Sequence, residues 1–129
     1  MRQAIDIDTA SHIKEVLEKD DNVVFALLFG SYAKGKQRKD SDIDIAVYFK
    51  EKPDADAFLR YVCTFSDIIN KEVDVVILNK ASAMLRHQIF KNKQTLVVKD
   101  KEQYINFRLK SMNDYEEYKH ISGLDVYDR

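Results

Sequence analysis

The chain has 129 residues, 45% of them hydrophobic, which is enough for one buried core and too little for a second. Its 21 Lys and Arg offset 22 Asp and Glu to a net charge of −1, which argues against direct nucleic-acid binding as its task. A lone cysteine, Cys63, excludes an intrachain disulfide; with neither a run of roughly 18 apolar residues nor a basic-then-apolar leader, the expected home is a reducing cytoplasm, away from membranes.

Ile13, Val16 and Leu17 mark the apolar stripe of a first helix, with Asp8 or Thr9 as its cap. Asp20-Asp21-Asn22 then turns the chain into Val23 to Phe29, an apolar run whose length suits a buried strand. Gly30 and Ser31 fall where that strand ends and a helix can begin. Backbone N–H groups at such a junction carry partial positive charge, and a glycine lets a triphosphate approach the main chain, so both residues are candidate phosphate ligands. Lys34, Lys36, Arg38 and Lys39 cluster in the loop that follows. Lys34 is the expected phosphate contact, whereas Lys36 and Lys39 suit a solvated loop equally well.

Ile43 to Phe49 alternates in the manner of a strand. Period two sends Asp42, Asp44 and Ala46 to one face and Ile43, Ile45, Val47 and Phe49 to the other. Carboxylates two residues apart on a strand converge, and such pairs share hard divalent cations; magnesium completes its shell with water and substrate phosphates. The competing reading makes them the solvated face of an edge strand. A second helix follows Pro53-Asp54, where Phe58, Val62, Phe65 and Ile69 recur at helical spacing with Leu59 beside them, and it should cross the sheet to a strand over Glu72 to Leu78. Asp74 in that strand is the candidate third acid; its alternative is a strand-entry carboxylate facing water.

Ser82 caps a third helix carrying Met84, Leu85, Ile89 and Phe90, ahead of a short strand from Thr95 to Val98. The last helix, from about Lys101 to His120, carries two stripes: Ile105, Leu109 and Met112, and the aromatic series Tyr104, Phe107, Tyr115 and Tyr118. One can face the sheet; the other, if exposed, marks a partner surface, unless both are largely buried or scattered. Ile121 to Arg129 reads as a polar tail that orders on a partner. His12, His87 and His120 lack zinc-ligand spacing and are expected to be structural or surface residues.

The run Gly30-Ser31-Tyr32-Ala33-Lys34-Gly35 through Ser41-Asp42-Ile43-Asp44 resembles the signature of the polymerase-β-type nucleotidyltransferases. The likeness is closest to their minimal nucleotidyltransferase branch, often encoded beside a HEPN-domain partner, and the order of elements agrees from about Val23 to Val98. The resemblance implies an α/β (α+β) fold, a mixed sheet with helices packed on it, as one compact domain over 1–129; the helix and tail of 101–129 are the expected partner contact. It implies three catalytic, metal-binding acids, Asp42, Asp44 and Asp74, two magnesium ions, and ATP held by Gly30, Ser31 and Lys34. Where the family often has Arg after the Ala, Lys34 keeps the charge but loses the planar fork. The chain stops soon after this core, so the acceptor is expected from a partner. In the resemblance that partner is a HEPN-type ribonuclease toxin, neutralised within a hetero-oligomer by transfer of AMP to a tyrosine. Two alternatives stay open: an antitoxin acting by binding alone, and a free-standing transferase for a small molecule or RNA.

Overall fold

A strand that is apolar at every position needs cover on both faces, and Val23–Phe29 (β1) has it. The computed structural model describes residues 7–30, 43–70 and 72–122. A helix, Ile7–Lys19 (α1), precedes β1; then come Ile43–Phe49 (β2), the helix Ala55–Ile69 (α2) and Val73–Ile77 (β3). A single 3₁₀ turn, Leu78–Lys80, leads to Ala83–Lys91 (α3), Gln94–Val98 (β4) and the long helix Lys101–Ser122 (α4). The sheet order is β3-β2-β1-β4, with β1 antiparallel to both its neighbours and β2 parallel to β3 across α2, so the sheet is mixed as expected.

Helices cover the sheet on both sides. Ile13 and Leu17 of α1 and Phe65 of α2 pack on Ala26, Leu28, Ile43, Ile45, Val47 and Phe49. On the opposite face Ile89 of α3 and Phe107 of α4 pack on Phe25, Leu27 and Ala46. Each fully buried apolar side chain of this size contributes about 1.5–3 kcal/mol. Two expectations are corrected. Leu59, one residue on from inward-facing Phe58, is rotated about 100° from it and stands 59% exposed. Asp8 and Thr9 lie inside α1, and therefore not at a cap position. The side chain of Ile69 lies outside the described residues.

The remaining helix starts follow their sequence signals. The Asp54 carboxylate accepts the Ala57 N–H at 2.8 Å, and the Ser82 hydroxyl accepts the Leu85 N–H at 3.1 Å. Asp100 accepts both the backbone N–H and the side-chain amide of Gln103, at 3.0 and 2.9 Å, and these bonds hold its carboxyl below the ordinary value. Asn70 closes α2 in the left-handed conformation at φ 59°.

Two asparagines finish the ladder where β2 ends. Asn79 accepts from the Phe49 N–H at 2.9 Å and donates to its carbonyl at 2.7 Å. Asn22 does the same for Glu51, at 2.9 and 2.8 Å. A side-chain amide has the donor and acceptor of a peptide group, so each acts as one more strand residue and pairs both backbone groups of the residue it faces.

The choice between the two stripes of α4 is resolved by ring packing. Phe107 lies 4.5 Å from Tyr48 and 5.9 Å from Phe25, Tyr104 meets Phe25 edge-on at 4.8 Å, and Tyr115 stacks on His87 at 3.7 Å. Arg86 ties α3 to α4 by donating to Ser111 at 3.2 Å and to Asp114 at 2.9 Å. Ile105, Leu109 and Met112 consequently face outward.

Candidate active site

Asp44 and Asp74 each occupy the second position of their strands, β2 and β3, and the parallel register pairs them directly. Residues paired across neighbouring strands send their side chains to the same face, about 4.8 Å apart. The Ile43 N–H donates to the Glu72 carbonyl at 3.2 Å and fixes the register at this end. Asp44 is half-buried and Asp74 exposed, while Ala46, next along the same face, is fully buried. The alternation expected of β2 therefore holds, and the sheet rather than the local sequence brings Asp74 to Asp44.

Gly30 follows the last pair of the β1–β2 ladder, Phe29 with Asp44. Its φ is +77°, a conformation open to glycine and strained for residues with a Cβ. A Cβ built there would overlap the Asp44 carboxylate. Strand register sets the proximity of Gly30 to Asp44, and the local sequence does not carry it. Ser31, Lys34 and Asp42 lie outside the described residues, as do Lys36, Arg38, Lys39 and the tail over 123–129.

Among the described residues no three His, Cys, Asp or Glu side chains are placed to hold a metal; the expected triad includes Asp42. The donors present fit magnesium. Two hard carboxylates stand in register on adjacent strands, the oxygen donors that magnesium takes. A cleft of about 550 Å³ lies at the opposite end of the sheet, lined by Asn22, Asp54, Arg60 and Tyr61, and holds none of the expected site residues. His87 is engaged by Tyr115, Cys63 is exposed on α2, and no helix among the described residues is long and apolar enough to cross a membrane.

A mixed sheet with a glycine turn folded against one of two paired aspartates belongs to a nucleotidyl-transfer fold. The family described as polymerase beta, nucleotidyltransferase matches residues 11–102, and the chain is a member of it. A relative from Methanocaldococcus jannaschii, provisionally named a protein adenylyltransferase, is 40% identical over 78 residues, covering 55% of this chain and 91% of its own. Among solved structures, a toxin–antitoxin pair crystallised with AMP-PNP superposes with a TM-score of 0.80 at 25% identity, over 95% of this chain and 98% of the other. An MNT antitoxin in complex with a tri-AMPylated HEPN toxin from Shewanella oneidensis gives 0.76 at 23% identity, over 93% and 94% of the two chains; that likeness shows the fold alone.

Proposed function

We propose that this chain is an antitoxin adenylyltransferase of one domain, acting in the cytoplasm, that moves AMP from ATP to a tyrosine hydroxyl of a HEPN-type ribonuclease partner and so silences it. The observation that carries the reading is the in-register pairing of Asp44 with Asp74 beside Gly30. The adenylyltransferase relative and the AMP-PNP-bound toxin–antitoxin neighbour support the class of acceptor and the nucleotide.

The tyrosine oxygen attacks the α-phosphorus of ATP, the bond from that phosphorus to the bridging oxygen breaks, and pyrophosphate leaves. Asp74, on the exposed side of the pair, accepts the hydroxyl proton. Backbone donors at Gly30 and Ser31, with the Ser31 hydroxyl, hold the outer phosphates, and Lys34 offsets their charge. Asp42, Asp44 and Asp74 would hold one magnesium ion and Asp42 with Asp44 a second, which would supply charge neutralisation and a lowered hydroxyl pKa.

Partner contact falls to the outward face of α4, where Ile105, Leu109 and Met112 form an apolar stripe that the fold leaves uncovered. The deciding experiment follows label from ATP marked at the α-phosphate to the protein of the adjacent gene, with wild type and with the Asp42→Asn/Asp44→Asn variant. Label with wild type alone is the expected result. An unlabelled partner that is nonetheless silenced would replace catalysis by binding. Measured by titration calorimetry and thermal unfolding, Ile105→Glu/Leu109→Glu should weaken partner binding about 100-fold without lowering Tm, as expected of two central interface residues; unchanged affinity would move the contact elsewhere.

A further inference from the structure

We propose that Gly30 is a positioning residue for the Asp44 carboxylate, in addition to any contact it makes with phosphate; the proposal deepens the metal-site reading above and rests on it. Three observations converge. The β1–β2 ladder ends with Phe29 opposite Asp44, so the next residue of β1 lies alongside that carboxylate. Gly30 then turns the main chain at φ +77°. The position of a Cβ on Gly30 overlaps the Asp44 carboxylate oxygen and lies 3.1 Å from its Cγ and 3.5 Å from its Cβ.

What would yield to a side chain at position 30 decides the consequence. The overlapping atom is the tip of Asp44, a short side chain with staggered alternatives, whereas the backbone around it is fixed by the pairs Phe29–Asp44 and Asp44–Asp74. The carboxylate would therefore turn to another rotamer while the sheet stays as it is. Asp44 would leave the orientation it holds beside Asp74, and the fold would survive the loss of the site. A missing methyl group at position 30 thus keeps an acid in register with its partner two strands away from β1.

Left-handed strain and steric overlap can be separated by chirality. An L-alanine suffers both, whereas a D-alanine accepts positive φ and carries its methyl on the other side of the Cα, away from Asp44. The test uses the full chain as wild type, as Gly30→Ala, and as a semisynthetic protein with D-alanine in place of Gly30. Two readouts are taken: the Asp44 rotamer from crystal structures, and Mn²⁺ affinity without nucleotide by electron paramagnetic resonance.

In Gly30→Ala, Asp44 should adopt a new rotamer and Mn²⁺ affinity should drop roughly tenfold or more, the range for loss of a ligand-orienting neighbour. The D-alanine protein should keep the rotamer and the affinity. An unmoved Asp44 in Gly30→Ala, or an equal Mn²⁺ loss in both alanine proteins, overturns the proposal. A moved Asp44 with no Mn²⁺ binding even by wild type upholds the positioning role and removes the metal-site reading instead.

Discussion

The two ends of β2 use short polar side chains in opposite ways. At the end of the strand Asn79 and Asn22 place both amide atoms on the main chain of Phe49 and Glu51. At its start Asp44 and Asp74 stand side by side with their carboxylates on one face, Asp74 exposed. One end uses its polar atoms to complete the sheet. The other leaves them at the proposed site, beside a strand held by buried Ile45, Val47 and Phe49. On the proposed function, stability and chemistry fall to opposite ends of one seven-residue strand.

That division can be broken by single substitutions. Asp44→Asn should cut adenylyl transfer by about 10³-fold, the scale for removing one group that stabilises developing charge, and leave Tm within a few degrees. Label transfer and calorimetry check both halves, and a large drop in Tm would show that Asp44 supports the sheet. Asn79→Ala should do the reverse. It leaves the partly buried N–H and carbonyl of Phe49 without their partner at a cost of about 1–3 kcal/mol, with transfer at a permissive temperature close to wild type. Transfer lost in proportion to stability would couple the two ends.

The smallest effect concerns the α3–α4 lock. Hydrogen bonds from Lys110 and then Arg86 hold the Asp114 carboxyl below its ordinary value of 3.8. A carboxyl depressed in the folded state stabilises fully above that value, and its contribution is lost as pH falls below 3.8 and through the lowered folded pKa. Asp114→Asn should therefore flatten the acid side of the Tm-against-pH curve while leaving transfer at neutral pH unchanged. An identical acid limb in the variant would count against the lock.

Much of the fold was legible in local pattern. The alternation of Ile43 to Phe49 separated Asp44 from its apolar neighbours, and the stripe of Phe58, Val62 and Phe65 foretold the crossover helix that makes β2 and β3 parallel. The pairing of Asp44 with Asp74 could be anticipated only as a neighbourhood, because register depends on hydrogen bonds between strands. The asparagine clamps were not legible: their partners lie 29 and 30 residues away, and an isolated Asn reads as a turn residue. Nor did periodicity choose between the stripes of α4, since both recur at helical spacing. The rings of Phe25 and Tyr48 made that choice by offering stacking partners to Phe107 and Tyr104 that Ile105 and Leu109 could not match.

The 30-residue separation of Asp44 from Asp74 also bears on when the protein becomes competent. Between them lies α2, which packs on the sheet and carries the chain across to β3. A chain emerging during synthesis carries Gly30 and Asp44 before Asp74. On the proposed function, a copy in which β3 has not aligned beside β2 lacks one of its acids and is silent, so transfer requires a closed crossover.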